Sequence, residues 1–139
     1  MEDEIFDISD YFTKKNEEEG VWDEIRIDGK GIGWEFKIYG ASSDEAVIAS
    51  EQYEKDIEAA STEGDPVKRN QLETEAVIKR LVAVIIDIRR KDGKPFLIQG
   101  KPFQNTKENI RFILEQSRVI RKGLLSSLAG NTTFMTKKG

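Results

Sequence analysis

The polar and apolar positions of residues 21–40 alternate in two runs that are separated by glycines. In "VWDEIRI" Val21, Ile25 and Ile27 share one side, and in "GWEFKIY" the side chains on the inward side are Trp34, Phe36 and Ile38. A period of two predicts half-buried β-strands. The connection "DGKG" contains Asp-Gly, so the two runs predict a β-hairpin with a loop of about four to five residues.

After Gly40 the apolar residues follow helical spacing instead. Ser43 is placed to cap a helix, and the thin apolar stripe of this helix predicts a position on the surface: Ala46, Ala49, Tyr53, Ile57 and Ala60. Asp65 followed by Pro66 indicates a second helix start. Its segment "AVIKRLVAVIIDI" is apolar nearly all round, which predicts a central helix to about Arg90. A buried strand is the competing interpretation, because valine and isoleucine dominate.

The last third of the chain predicts a connector and further helical structure. Asp92-Gly93 and Gly100 flank "KPFLIQ", which predicts a short hairpin against the first sheet. Thr106 is placed to cap "KENIRFILEQ", and a final helix "VIRKGLLSSLAG" is expected to end at Gly130. Whether residues 110–128 form one bent helix or two helices stays open.

These elements predict one α+β domain over residues 1–139, with an N-terminal β-hairpin packed against about four α-helices. A third short strand in the sheet stays open. A chain of 139 residues is long enough to bury one hydrophobic core. We expect the acidic N-terminal segment 1–19 and the C-terminal tail 130–139 to be flexible, with Glu17–Glu19 in a solvated loop.

The residue inventory restricts the chemistry of the chain. There is no cysteine and no histidine, which removes thiolate nucleophiles, disulfides, histidine-based triads and zinc fingers. The glycines of "GKGIG" lead into an alternating strand, so they do not form a phosphate loop at a helix N-terminus. No spacing of carboxylates singles out a metal site or a catalytic pair. We therefore predict no metal site and no cofactor, while a small enzyme that uses carboxylates stays open as a third alternative.

Apolar runs are too short to span a bilayer, and the N-terminus "MEDEIFDISD" is acidic where a secretory signal is basic. We therefore expect residence in the cytoplasm and no membrane partner.

Charge is divided unevenly along the chain. Residues 1–65 contain 20 acidic and 6 basic side chains, whereas residues 66–139 contain 6 acidic and 16 basic ones. Three interpretations stay open: the two halves fold against each other, copies associate head to tail, or an acidic arm shields a basic surface. The basic second half makes nucleic-acid binding an alternative function, although the pI of about 5.1 is against it.

Several large apolar side chains have no obvious place in a core, and each is either core or an anchor that a partner covers. Two of them, Trp22 and Tyr39, lie on the predicted strands. As the partner-binding surface we predict the last helix and the tail, with Ile120, Leu124, Leu125, Leu128, Phe134 and Met135.

Five segments occur in a recognisable order: "FDISDYF", "EGVWDEI", "WEFKIYGASSDEA", "RLVAVIIDI" and "GKPFQNTKENIRFILEQSRVIRKGLL…NTTFM". In this order and spacing the chain resembles the tail assembly chaperones of long-tailed bacteriophages. The resemblance covers most of the chain and depends on no single motif. Two positions depart from the family pattern: Ile88 stands where a tryptophan is expected, and Ser117-Arg118 replaces a proline that separates two helices.

The resemblance implies a non-enzymatic phage or prophage protein that acts in tail morphogenesis in the host cytoplasm and is not in the mature virion. Its partner would be the tape measure protein, which it keeps soluble until the tube polymerises. Tail tube subunits and further copies of the chain are additional partners to consider. Many members of the family also have a longer, frameshifted form, which a protein sequence does not show. The alternative is a nucleic-acid-binding or regulatory phage protein that uses the basic second half.

Overall fold

The predicted α+β class is confirmed in the structure, a computed structural model that describes residues 7–129 and 133–135. Within those residues there are five α-helices, a three-stranded antiparallel sheet and a two-stranded sheet. A 3₁₀ turn, Ile8–Tyr11, comes first. The elements that follow are α1 (Lys14–Glu19), β1 (Val21–Ile27), β2 (Lys30–Ile38), α2 (Asp44–Ser61), α3 (Pro66–Val84), β3 (Ile85–Arg90), β4 (Leu97–Ile98), β5 (Lys101–Pro102), α4 (Lys107–Gln116) and α5 (Arg118–Ala129).

The β1–β2 hairpin has a shorter turn than the sequence predicted. Ile27 pairs with Lys30, so only Asp28 and Gly29 connect the strands. Both have positive φ angles, 53° and 79°, which is the conformation of the two-residue hairpin turn that Asp-Gly favours. Four to five residues were expected, and the difference arises because "KGIG" belongs to β2 itself.

The other two glycines of this region, Gly31 and Gly33, both lie against the Glu24 carboxylate, and Gly33 has in addition a positive φ of 83°. A Cβ atom on Gly31 would overlap the Glu24 carboxylate, which lies directly over this glycine. Oε2 of Glu24 accepts a hydrogen bond from the Gly33 backbone N–H at 3.1 Å, and Lys91 Nζ lies 3.4 Å from Oε1. The β1–β2 register shifts at this point, between Glu24 and Arg26. Gly31 therefore makes room for a carboxylate on the outer face of the sheet, and Gly33 donates to it from a left-handed backbone conformation.

Helices α2, α3 and α4 begin at the residues that the sequence predicted. The Ser43 hydroxyl accepts from the Ala46 N–H at 3.1 Å and donates to the Gly40 carbonyl at 2.7 Å. Asp65 caps α3 with a 2.9 Å bond from the Val67 N–H, and the Thr106 hydroxyl caps α4. Each side chain satisfies a backbone donor that the first helical turn leaves unpaired.

The predicted helix from Pro66 to about Arg90 is wrong in its last turns. Helix α3 ends at Val84, and residues 85–90 form the third strand of the sheet, with pairs from Ile38–Ile85 to Trp34–Arg90. The β-branched side chains here suit a strand that has a partner. Lys107 Nζ donates to the carbonyls of Val82 and Ile85, both at 2.8 Å, and so satisfies carbonyls at the end of α3.

The main hydrophobic core lies between one face of the three-stranded sheet and helices α3, α4 and α5. The inward side of β2 is the predicted one. The β4–β5 hairpin is confirmed but forms a sheet of its own, and it contributes Phe96, whose ring meets Trp34 edge-on at 5.0 Å. The buried members of the core are Ile25, Phe36, Ile38, Ile78, Leu81, Ile85, Ile88, Phe96, Ile110, Ile113, Leu114, Ile120, Leu124 and Phe134.

Residues 107–129 form two helices, which answers the question that the sequence left open. Ser117 separates α4 from α5 with an extended backbone, φ −136° and ψ 105°. Its hydroxyl accepts from the Ile120 N–H at 3.1 Å, and Arg121 Nη1 donates to the Leu114 carbonyl at 2.6 Å. Two side chains therefore hold the break without the expected proline.

The N-terminal segment differs from the expected solvated loop. Glu17 lies in α1 and is only 9% exposed. Its carboxylate accepts from the Thr13 hydroxyl at 2.8 Å and from the Ser42 N–H at 3.1 Å, while Asn16 Nδ2 donates to the Phe134 carbonyl at 3.1 Å. Residues 1–6, 130–132 and 136–139, with the predicted helix end at Gly130, lie outside the described residues. The flexibility of 1–19 and 130–139 stays a prediction.

Candidate partner-binding surfaces

The residues predicted to bind a partner lie in or against the core. Ile120, Leu124 and Phe134 are buried, at 8%, 1% and 5% exposure. Leu125 and Leu128 pack against core residues, and Met135 is half-buried. These side chains hold α5 and the tail segment on the sheet, so contact with a partner would require them to leave their present neighbours. Their role in binding stays a prediction.

The two aromatic residues of the strands also have neighbours within the chain. Trp22 lies on the outer face of the sheet, where the Arg89 guanidinium carbon is 3.8 Å from its ring centroid. Tyr39 packs against the second, smaller cluster, formed by Ala46, Ala49 and Val84. Trp22 is therefore part of a cation–π contact, and Tyr39 helps to hold α2 on the sheet.

The basic second half offers two clusters for phosphate contacts, Arg89–Lys91 and Arg118 with Arg121 and Lys122, and most of these side chains are engaged in internal contacts. Arg89 pairs with Glu35 at 2.9 Å, and its two neighbours pair with Asp92 and Glu24. Arg121 donates to a carbonyl at the end of α4. Arginine and lysine commonly satisfy carbonyls and acids in this way without a nucleic acid.

Three ion pairs within the described residues join the acidic first half to the basic second half. They are Glu24–Lys91 at 3.4 Å, Glu35–Arg89 at 2.9 Å and Asp56–Lys79 at 3.2 Å. They support the interpretation that the two halves fold against each other. Self-association was the second interpretation of the same charge pattern, and it stays a prediction.

The most apolar groove described lies on the surface between α2 and α3, with a volume of about 460 Å³. We call it the α2–α3 groove. Ala49 and Ala83 are small, which leaves space between the helices, and Ile48 stands beside this space with 69% of its surface exposed. The residues that line the groove are Glu45, Ile48, Ala49, Gln52, Tyr53, Lys79, Arg80 and Ala83.

The two sides of the groove differ in charge. On the α3 side, Lys79 is paired with Asp56 at 3.2 Å, and the Arg80 guanidinium carbon lies 5.0 Å from the ring centroid of Tyr53. A hydrogen bond from Gln52 and the adjacent Lys79 ammonium hold the pKa of Asp56 below its usual value. On the α2 side, the helix carries six acidic residues and one lysine. The groove is therefore apolar at its base and acidic along α2.

The sequence contains a feature that indicates an exposed apolar side chain at this groove. The predicted stripe of α2 is confirmed, since Ala46, Ala49 and Ala60 are buried. Val47 and Ile48 lie off that stripe and are exposed, although β-branched apolar residues are uncommon choices for the solvent face of an acidic helix. Of the two, Ile48 lines the groove, so an exposed isoleucine off the buried stripe is the signal for it.

Two further searches concern residues 7–129 and 133–135 only. Their acidic side chains form no group of three or more that could hold a metal ion. None of their helices combines the length and apolarity required to cross a membrane.

Comparisons with protein-family models, curated proteins and solved structures give no match to this chain. The functional interpretation therefore rests on the residue pattern and on the geometry of the fold.

Proposed function

We propose that this protein is an assembly chaperone of phage tail morphogenesis, which binds the tape measure protein and keeps it soluble until the tail tube polymerises. The order of segments that resembles the tail assembly chaperones supports the identity of the client. The structural observation that carries the proposal is the α2–α3 groove, because an apolar groove between two helices with an exposed isoleucine beside it suits the apolar side of a third helix.

In this proposal the chain acts through binding alone. A long helical client exposes apolar surface along its length, and many copies of a small chaperone can cover it through individually weak contacts. Acidic side chains along α2 would keep the coated complex in solution through charge repulsion. Tail tube subunits would then displace the copies, so the chaperone acts in the host cytoplasm and is not retained in the virion.

The test is co-expression with the long helical protein that is encoded beside this chain. We expect that protein to be insoluble when expressed alone, and to be soluble and co-eluting with the chaperone when the two are expressed together. If the neighbouring protein stays insoluble and no complex elutes, the chaperone proposal is refuted.

Nucleic-acid binding has one structural observation in its favour. A groove of about 320 Å³ lies beside the start of α5. It is lined by Arg118, Arg121 and Lys122 of α5 and by Asn70 and Thr74 of α3. Retention on DNA at physiological ionic strength that falls steeply with added salt would support this second candidate. The chaperone proposal predicts no such retention.

A further inference from the structure

We propose that the α2–α3 groove binds an amphipathic helix whose apolar side is flanked by lysine or arginine along the α2 side. This rests on the proposed function only for the source of the helix, which would be the client. The occupant is defined by two properties of the groove: the apolar surface at its base and the unpaired acidic side chains along α2.

The apolar surface has the shape that a helix requires. Ala49 of α2 and Ala83 of α3 leave space that a leucine-sized side chain can fill. Ile48, at 69% exposure, presents further apolar surface beside this space. A helix that lies along the seam places its side chains at i, i+3, i+4 and i+7 toward such a base, which is the usual mode of helix-in-groove recognition.

The charge around Ile48 sets the preference for a basic partner. Residues three and four positions away on a helix are its surface neighbours, and for Ile48 these are Asp44, Glu45, Glu51 and Gln52. No ion pair within residues 7–129 and 133–135 involves any of the three acids. On the opposite wall Lys79 is paired with Asp56, whereas the Arg80 guanidinium lies over the Tyr53 ring and keeps its positive charge. A helix with a basic flank on the α2 side therefore complements this groove.

A second copy of the chain is a less suitable occupant. Helix α5 is its most basic helix, without an acidic residue. The apolar side of α5, however, contains Ile120 and Leu124, which are buried in the core of the same chain. A second copy would have to release α5 from its own sheet to offer that side.

The test uses two synthetic amphipathic peptides with the same leucine anchors, one flanked by lysines and the other by glutamates. Binding to the full-length protein is measured by isothermal titration calorimetry at low and at physiological salt. We expect the lysine peptide to bind about tenfold tighter, which corresponds to two or three exposed ion pairs. Its advantage should shrink as salt is added.

Three variants separate groove binding from general attraction to an acidic protein. Ile48→Ser should weaken binding of the lysine peptide several-fold. Val67→Ser is the matched control, because Val67 is a 66% exposed β-branched residue on α3 that does not line the groove, and it should bind as the unsubstituted protein does. The double variant Glu45→Lys with Glu51→Lys should reverse the preference toward the glutamate peptide. Circular dichroism confirms that each variant is folded.

Three results would overturn the inference. The first is equal binding of the two peptides, and the second is an equal loss of binding in Ile48→Ser and Val67→Ser. The third is a change in the oligomeric state of the protein alone on Ile48→Ser, measured by light scattering, which would assign the groove to a second copy. If the client complex stays soluble with Ile48→Ser, binding at the groove is refuted and the chaperone proposal is kept. If the peptide binds as expected but the client stays insoluble, the chaperone proposal is refuted and binding at the groove is kept.

Discussion

Substitution of Gly31 by alanine should have opposite effects on stability in two backgrounds that differ only at Glu24. In the native protein the new Cβ atom would overlap the Glu24 carboxylate, and no other atom is among its three nearest neighbours. The φ angle of Gly31 is not in the left-handed region, so an alanine can adopt its backbone conformation. The carboxylate must therefore move, and the Gly33 N–H and Lys91 lose their partner.

The size of each effect follows from the contacts that change. A hydrogen bond from a backbone N–H to a carboxylate contributes about 1.5 kcal/mol at a partly exposed site, and the exposed Lys91 pair adds about 0.5 kcal/mol. Replacing a strand glycine with alanine raises the free energy of unfolding by about 0.5–1 kcal/mol, because alanine loses less backbone entropy on folding. We therefore expect Gly31→Ala to lower the free energy of unfolding by about 1 kcal/mol in the native background. In the Glu24→Ala background the same substitution should raise the free energy of unfolding by about 0.5–1 kcal/mol.

Urea unfolding of the four proteins, followed by tryptophan fluorescence, completes the double-mutant cycle. Gly64→Ala is the control, since a Cβ atom on Gly64 meets nothing within 4 Å, and it should have the same small effect in both backgrounds. If Gly31→Ala also changes stability equally in both backgrounds, then the Glu24 carboxylate is not the reason for this glycine.

Three further predictions concern the core, an ion pair and the N-terminal helix. Leu124→Ala should lower the free energy of unfolding by about 2–5 kcal/mol, because it leaves a cavity in the core; unchanged stability with loss of client binding would instead support a partner contact. The lowered pKa of Asp56 stabilises the fold above its usual pKa of 3.8, and that contribution is lost as the pH falls through the folded value. The Asp56→Asn variant should therefore lose less thermal stability on acidification than the native protein, and an equal loss would show that Gln52 and Lys79 do not stabilise the Asp56 carboxylate. Glu17→Ala should speed hydrogen exchange at the Ser42 amide, whereas the exposed neighbour Glu18→Ala should leave it unchanged; equal rates in the two variants would show that the carboxylate does not hold this turn.

Local signals explain the parts of the fold that the sequence predicted. The hairpin follows from alternation and from Asp-Gly, and the caps at Ser43, Asp65 and Thr106 depend on residues two or three positions away. The end of α3 depends on residues that are distant in sequence. A strand from Ile85 requires β2 as its partner, and the carbonyls at the junction require Lys107. The periodicity of one segment cannot predict either of these distant contacts.

The candidate site shows the same division. The stripe of α5 shows that one face is apolar, but an amphipathic pattern does not show whether the same chain or a partner covers that face. Leu124 is covered by the same chain, whereas Ile48 is exposed. Glu17 was missed for a related reason, since its partners Thr13 and Ser42 include one that lies 25 residues away.

Helices α2 and α3 form an arm that is inserted between two adjacent strands. Ile38 pairs with Ile85, and the Tyr39 N–H donates to the Val84 carbonyl at 3.0 Å, so the chain leaves and re-enters the sheet at neighbouring positions. The α3 residues of the main core lie toward this base, at Ile78 and Leu81. Removing one turn from each helix would shorten the arm by about 5 Å without moving either anchor point. The length of the arm can therefore change while the body of the fold is kept.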